Sequence, residues 1–237
     1  MSSQTVSPAI SNVHAVNDVT APSLIPGRLP ADEVVNTITH GIGIPLSLAG
    51  AVLLLNTAIH SGDPLRILGC FVYSLTLIGV YTASTLSHCF VCPKRRNFYR
   101  ALDQALIYLL IAGSYTPFSL IYLHGPFWNG QLILMWTIAL IGCVSKFGFC
   151  HRINACRIWS YVLLAWLSAI PAFALIGAVS LALHAWVFLG AAALMLGVVF
   201  FMLDNKRFHF HAMWHILVIA GTGCHFMAIY QFVASVT

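Results

Sequence analysis

The chain has 237 residues, of which 59% are hydrophobic and only 7% are charged. A soluble domain carries roughly a quarter of its residues as charges, and no soluble fold could hide this much apolar surface. The formal net charge of +5 is a matter of membrane topology and mild attraction to anionic lipid, and it calls for no nucleic-acid partner.

Residues 1–30 are rich in Ser, Pro, Val and Asn, lack sustained periodicity, and carry Pro22, Pro26 and Pro30. They read as a flexible N-terminal tail. The segment has neither the positive start, the apolar core nor the small-residue cleavage pattern of a signal peptide, so the first span is expected to direct insertion and the N-terminus to be kept. Residues 31–237 then divide into apolar stretches of about 20, the length a helix needs to cross a bilayer core. The expected spans run from Ala31 to Ile59, Leu65 to Phe90, Ala101 to Leu123, Phe127 to Phe147, Ile158 to Val179, Leu181 to Leu203 and His211 to Val236. Hydrophilic or Gly/Pro breaks separate them, the weakest lying around Gly177 to Ser180.

Charge decides whether that weak break is real. Lys94, Arg95, Arg96 and Arg100 follow the second span, Lys146, Arg152 and Arg157 surround the connection from the fourth to the fifth, and Lys206 and Arg207 follow the sixth. Nine of the eleven basic residues therefore occupy alternate loops; only Arg66 lies on the other side, and Arg28 belongs to the tail. Basic residues in short loops stay in the cytoplasm. The pattern predicts an all-α integral membrane protein, a seven-transmembrane helix bundle with the N-terminus inside and the C-terminus outside. Fusing the fifth and sixth spans would put Lys206 and Arg207 outside.

The seven cysteines are Cys70, Cys89, Cys92, Cys143, Cys150, Cys156 and Cys224. Most fall within spans or toward the reducing side, which argues against a disulfide framework. A zinc knot from Cys89, Cys92, Cys150 and Cys156 would have the wrong spacing in its second pair.

Histidines and carboxylates inside spans are costly, so they mark function more often than they do in soluble proteins. His88 closes the second span, with Ser84 one turn deeper. Asp103 lies about one turn inside the third span. His211 and His215 open the seventh, and their i, i+4 spacing puts them on one helix face. The topology, derived from basic residues alone, brings His88, Asp103, His211 and His215 to one depth. A lone interfacial histidine is commonly a headgroup or capping contact, and a lone Ser such as Ser84 commonly bonds its own helix; four groups at one level suggest a site. Three neutral imidazoles leave one position of a tetrahedral zinc open for water, the arrangement of catalytic rather than structural zinc, and Asp103 could hold that water and accept its proton.

Glu33, Asn36 and His40 make one face of the first span polar, either as an outer set of groups orienting ligands or as ordinary dipole and interhelix contacts. His225 returns to nearly the face of His211 but about 15 Å deeper than His215, too far to share a metal. It is expected to line an inner cavity or bond across helices. His60, His124, His151, His184 and His209 lie near loops and need no special role.

The segments EVVNTITHGIG from Glu33, STLSH from Ser84, LDQALIYLLIAGSYTPF from Leu102 and HAMWH from His211 resemble the successive motifs of the hemolysin III proteins. These are the bacterial branch of the progestin and adipoQ receptor family, in a superfamily that includes alkaline ceramidases. The resemblance runs from about residue 31 to the end. It implies a zinc held by His88, His211 and His215, with Asp103 reached through a water and Ser84 beside it, in a multi-pass protein of a bacterial inner membrane. One departure is Gln104, where many family members have His; the metal ligands are untouched, but a proton shuttle through that position loses its titratable group.

Two functions of different class are compatible with such a site. One is a zinc-dependent intramembrane hydrolase cleaving an amide or ester of a membrane lipid, with Asp103 as general base and Ser84 steadying the oxyanion, which would serve lipid homeostasis. The other is a non-enzymatic sensor or regulator whose zinc clamps the second, third and seventh helices. Pore formation, suggested by the family name, finds no pore-lining stripe or charged ring.

Overall fold

A computed structural model describes residues 29–148, 156–204 and 209–235. Arg28, Cys150, His151, Arg152, Lys206 and Arg207, with the tail and Val236, fall outside these residues. Seven α-helices follow one another among the described residues: α1 Ala31–Ser61, α2 Pro64–Cys89, α3 Pro93–Tyr122, α4 Pro126–Gly148, α5 Cys156–Ala174, α6 Leu181–Met202 and α7 Phe210–Ile229, the last running into a π-helical turn, Tyr230–Ala234. Six are long and apolar enough to cross a membrane, and α5 offers a shorter apolar stretch, Ile158–Ala174. The chain is thus a helical membrane protein, since helices satisfy every backbone group internally in lipid.

The helix ends are written in local chemistry. Gly62 closes α1 at φ 69°, its N–H bonded to the Ile59 carbonyl, and Asp63 accepts from the Leu65 N–H at 2.9 Å to open α2. Proline stands first in α2, α3 and α4, where its missing N–H removes no helical bond. The doubtful break between the fifth and sixth spans is a real turn: α5 stops at Ala174, Gly177 takes φ 85°, and the Ser180 hydroxyl caps the Leu183 N–H at 3.2 Å.

Two expectations need correction. The third helix starts at Pro93 rather than Ala101, because its basic first turns continue the helix beyond the apolar stretch, so Asp103 lies about three turns inside it rather than one. His184 is not idle: it is buried, and its Nδ1 and Nε2 lie 3.1 and 2.9 Å from the carbonyls of Ser180 and Ala172, fastening the end of α5 to the start of α6.

Two packed clusters hold the bundle. Tyr73, Leu77 and Val80 of α2 meet Leu54 of α1 and Val218 and Ile229 of α7, while Tyr108 and Tyr115 of α3 meet Met135 and Ala139 of α4 and Leu164 of α5. Between lipid-embedded helices close packing and hydrogen bonds replace the hydrophobic driving force. Gly69 of α2 accordingly lies so near α3 that a β-carbon would stand 2.8 Å from the Pro117 Cα. Tyrosines tie helices together: Tyr73 donates to the Thr222 carbonyl (3.0 Å), Tyr81 pairs with the Thr222 hydroxyl (2.6 Å), and Tyr122 donates to the Phe232 carbonyl. By contrast α5 and α6 barely touch beyond their shared turn.

Candidate metal centre

The N-terminal ends of α1, α3 and α7 and the C-terminal ends of α2 and α6 gather at the end of the bundle that carries Lys94, Arg95 and Arg96. There His88 of α2 and His211 and His215 of α7 meet, each with one ring nitrogen within 4.8 Å of those of the other two. The i, i+4 spacing on α7 sets the last pair, whose ring centroids are 4.5 Å apart; His88 sits 5.1 and 5.2 Å from them.

Each of these rings is held by a different partner at Nδ1. His88 donates to Glu33 Oε2 at 2.5 Å. His211 donates to Asp204 Oδ2 at 2.9 Å. His215 lies 3.0 Å from the Thr39 hydroxyl, which itself donates to the carbonyls of Val35 and Asn36 and so accepts from the imidazole. All three rings are thereby fixed as Nδ1–H tautomers, which leaves three Nε2 lone pairs for one ion. Imidazole nitrogens held from behind by oxygen are the usual arrangement around a metal, so the donor set fits a transition ion and is poorly suited to magnesium or calcium, which prefer oxygen.

Glu33 does more than hold His88: its second oxygen receives Arg100 at 3.1 Å and lies 3.6 Å from Arg96, joining the start of α1 to α3. Asn36 contributes through its backbone carbonyl. His40 stacks on His215 with centroids 3.6 Å apart, and its Nδ1 is 2.6 Å from the buried Ser84 hydroxyl. The Asp103 carboxyl also neighbours the Ser84 hydroxyl. Among the described residues the buried His40 Nε2 has no hydrogen-bond partner. Asp103 itself is not in the group that could hold a metal ion.

His40, Ser84, His88, Arg100, Asp103, Asp204, His211 and His215 line one cavity of about 570 Å³ that descends between α2, α3, α5, α6 and α7. Gln104 lines it too, while its backbone carbonyl accepts from Tyr161 at 2.8 Å. His225 lines its deep end, with Nε2 3.3 Å from the Val187 carbonyl, away from the three clustered histidines. Thr39 and Asp204 escaped the sequence reading. Thr39 resembles any β-branched helix residue, and Asp204 sits in a loop whose basic residues drew attention to topology; the only signal was a carboxylate seven residues before His211. Cys70, Cys89, Cys92, Cys143 and Cys224 are free thiols, and the side chains of Cys150 and Cys156, which a four-cysteine knot would need, lie outside the described residues.

Residues 30–226 match the model of the family described as haemolysin-III related. The chain belongs to that family. It is 33% identical over 198 residues to the hemolysin-3 homolog of Bacillus subtilis (strain 168), covering 84% of this chain and 92% of the relative. It is likewise 33% identical over 204 residues to hemolysin-3 of Bacillus cereus, covering 85% and 92%. The human monocyte to macrophage differentiation factor is more distant, 24% identical over 206 residues covering 85% of this chain and 84% of the relative. The three histidines, their partners and Asp103 all fall inside the haemolysin-III match.

Proposed function

We propose that this haemolysin-III related protein is a zinc-dependent intramembrane hydrolase acting on an amide or ester bond of a membrane lipid. The observation that carries the reading is the triad of imidazoles, each committed to another partner at Nδ1, at the head of a lipid-sized cavity whose wall also bears a separate carboxylate, Asp103. His88, His211 and His215 are the ligands. Zinc there would supply Lewis acidity for activating water and polarising the scissile carbonyl.

The chain's own groups do the rest. Asp103, beside the Ser84 hydroxyl, takes up the proton of the attacking water and returns it to the leaving amine or alcohol. Ser84, paired with His40 and next to Asp103, steadies the developing oxyanion. The apolar wall formed by residues such as Ile107, Ile111, Val162 and Val198 receives a hydrocarbon chain and excludes water. The sparse contact between α5 and α6 leaves a sideways route from lipid to cavity.

The same reading sets the protein in a cell membrane, a bacterial inner membrane, with residues 31–237 as one domain behind a 30-residue tail. It spans seven times, N-terminus inside and C-terminus outside, with α5 as the short seventh crossing. Lys94, Arg95, Arg96, Arg100 and Lys146 then all lie toward the cytoplasm, as charge bias in short loops requires. The test is lipid analysis of membranes incubated with purified protein. One lipid class should be converted to fatty acid and its amine or alcohol, chelator should stop the conversion, and zinc should restore it. No conversion of any lipid by zinc-loaded protein would leave the histidines a structural clamp.

A further inference from the structure

The lower half of the cavity has a chemistry of its own. Ser114 of α3 lies eleven residues beyond Asp103, His225 of α7 ten beyond His215, and Ser168 of α5 ten beyond Ile158, the first cavity-lining residue of its helix. These three helices run in the same direction, and Tyr161 of α5 donates to the Gln104 carbonyl of α3, which keeps Ile158 within about a turn of the Asp103 level. At 1.5 Å per residue the three side chains therefore come to a similar depth, about 15 Å below their starting residues. Between the two levels the wall is mostly apolar, with Ile107, Leu110, Leu194, Met195, Val198 and Val218, and the one hydroxyl there on α7, Thr222, is already bonded to the Val218 carbonyl and to Tyr81.

What these groups offer is one-sided. The Ser114 hydroxyl donates to the Leu110 carbonyl at 2.7 Å and the Ser168 hydroxyl to the Ala165 carbonyl at 2.6 Å, each leaving oxygen lone pairs free. The His225 Nε2–H is directed to the Val187 carbonyl, which leaves Nδ1 as an acceptor. The floor of the cavity thus presents three acceptors whose own donors are already used. A bare alkyl end would leave them unmatched, at the cost of removing polar groups from water without a partner.

We propose that Ser114, Ser168 and His225 form a subsite for a hydroxyl group at the far end of the ligand's hydrocarbon chain. The ligand is then an acyl chain with its polar head at the histidines and its hydroxyl about twelve carbons away, since an extended chain of 1.5 Å bonds advances about 1.25 Å per carbon. The inference rests on the proposed function only in taking the upper end of the cavity as the place of the lipid head; it needs neither zinc nor turnover.

The test is binding by the purified full-length protein, measured calorimetrically with three probes: dodecanoic acid, 12-hydroxydodecanoic acid and 2-hydroxydodecanoic acid. The 12-hydroxy acid should bind about three- to tenfold more tightly than dodecanoic acid, the yield of one or two net hydrogen bonds. The 2-hydroxy acid, whose hydroxyl stays near the head, should owe nothing to the floor. Ser114→Ala combined with Ser168→Ala should shrink the 12-hydroxy preference, and His225→Leu should shrink it further, while dodecanoic acid affinity changes less than about twofold. The preference should also persist in chelator-treated protein. Equal binding of the 12-hydroxy and plain acids by the parent, no binding of either, or a preference that survives both variants intact would overturn the subsite. Failure of the hydrolase reading would appear separately, as absent metal or absent turnover with the binding ratio unchanged.

Discussion

Replacing Glu33 by Gln separates the charge of that carboxylate from its shape. One oxygen is 2.5 Å from His88 Nδ1, the other 3.1 Å from Arg100, and the side chain is only 11% exposed, so water cannot substitute for it. Glutamine can give its oxygen to His88 only by turning its NH2 toward two guanidinium groups, which have no acceptor to offer. Loss of such a supporting partner typically costs about 10- to 100-fold in metal affinity, or about 1.4 to 2.7 kcal/mol. Glu33→Gln should fall at the upper end of that range. Asp204→Asn should fall at the lower end, because Asp204 is 36% exposed and solvent can take its place beside His211. Thr39→Val, which removes one neutral hydrogen bond to His215, should cost least, about fivefold. The assay is competition for zinc with a chromogenic chelator at fixed pH. Parent-like affinity in Glu33→Gln and Asp204→Asn, with His88→Ala losing its metal, would refute the idea that the Nδ1 partners set the strength of the site.

Topology is checked by tags: those on the N-terminus and in the loop holding Lys94 to Arg96 should report the cytoplasm and one after Thr237 the outside, and a cytoplasmic C-terminus would remove the seven-span arrangement. Gly69→Ala should destabilise the bundle by about 1 to 3 kcal/mol, because the new methyl meets the α3 backbone at Pro117, which cannot turn aside; an unchanged unfolding midpoint in mixed micelles would contradict that packing. The Cys92 thiol stands before α3, where the backbone N–H groups of Arg95 and then Lys94 hold its pKa below the usual thiol value. Its alkylation rate should therefore rise with pH through a midpoint below that of a model thiol, and a midpoint at or above the model value would count against this placement.

The heart of the site was legible because its spacing and depth survive without a structure. His211 and His215 share a face by periodicity, and the alternation of basic loops brings His88 to their level. Glu33 was legible as a polar residue on the right face. Local sequence could not show that Thr39, rather than the Asn36 side chain, supports His215, because the choice depends on how α1 is rotated against α7. Asp204 was hidden because loop geometry, not helical period, brings it back to His211. The pairing of Ser84 with His40 was not legible, since the two come from α2 and α1 and meet only in the packed bundle. The start of α3 was placed late because hydropathy marks where a helix enters lipid, not where the helix begins.

The most direct measurement is zinc content and lipid turnover on the same preparations of the parent, His211→Ala and Asp103→Asn. The parent should hold about one zinc per chain and hydrolyse its lipid, His211→Ala should lose both, and Asp103→Asn should keep most of its zinc and lose hydrolysis. If Asp103→Asn loses its metal as fully as His211→Ala, or turns over lipid like the parent, Asp103 is not the proton acceptor placed beside the metal and the account fails.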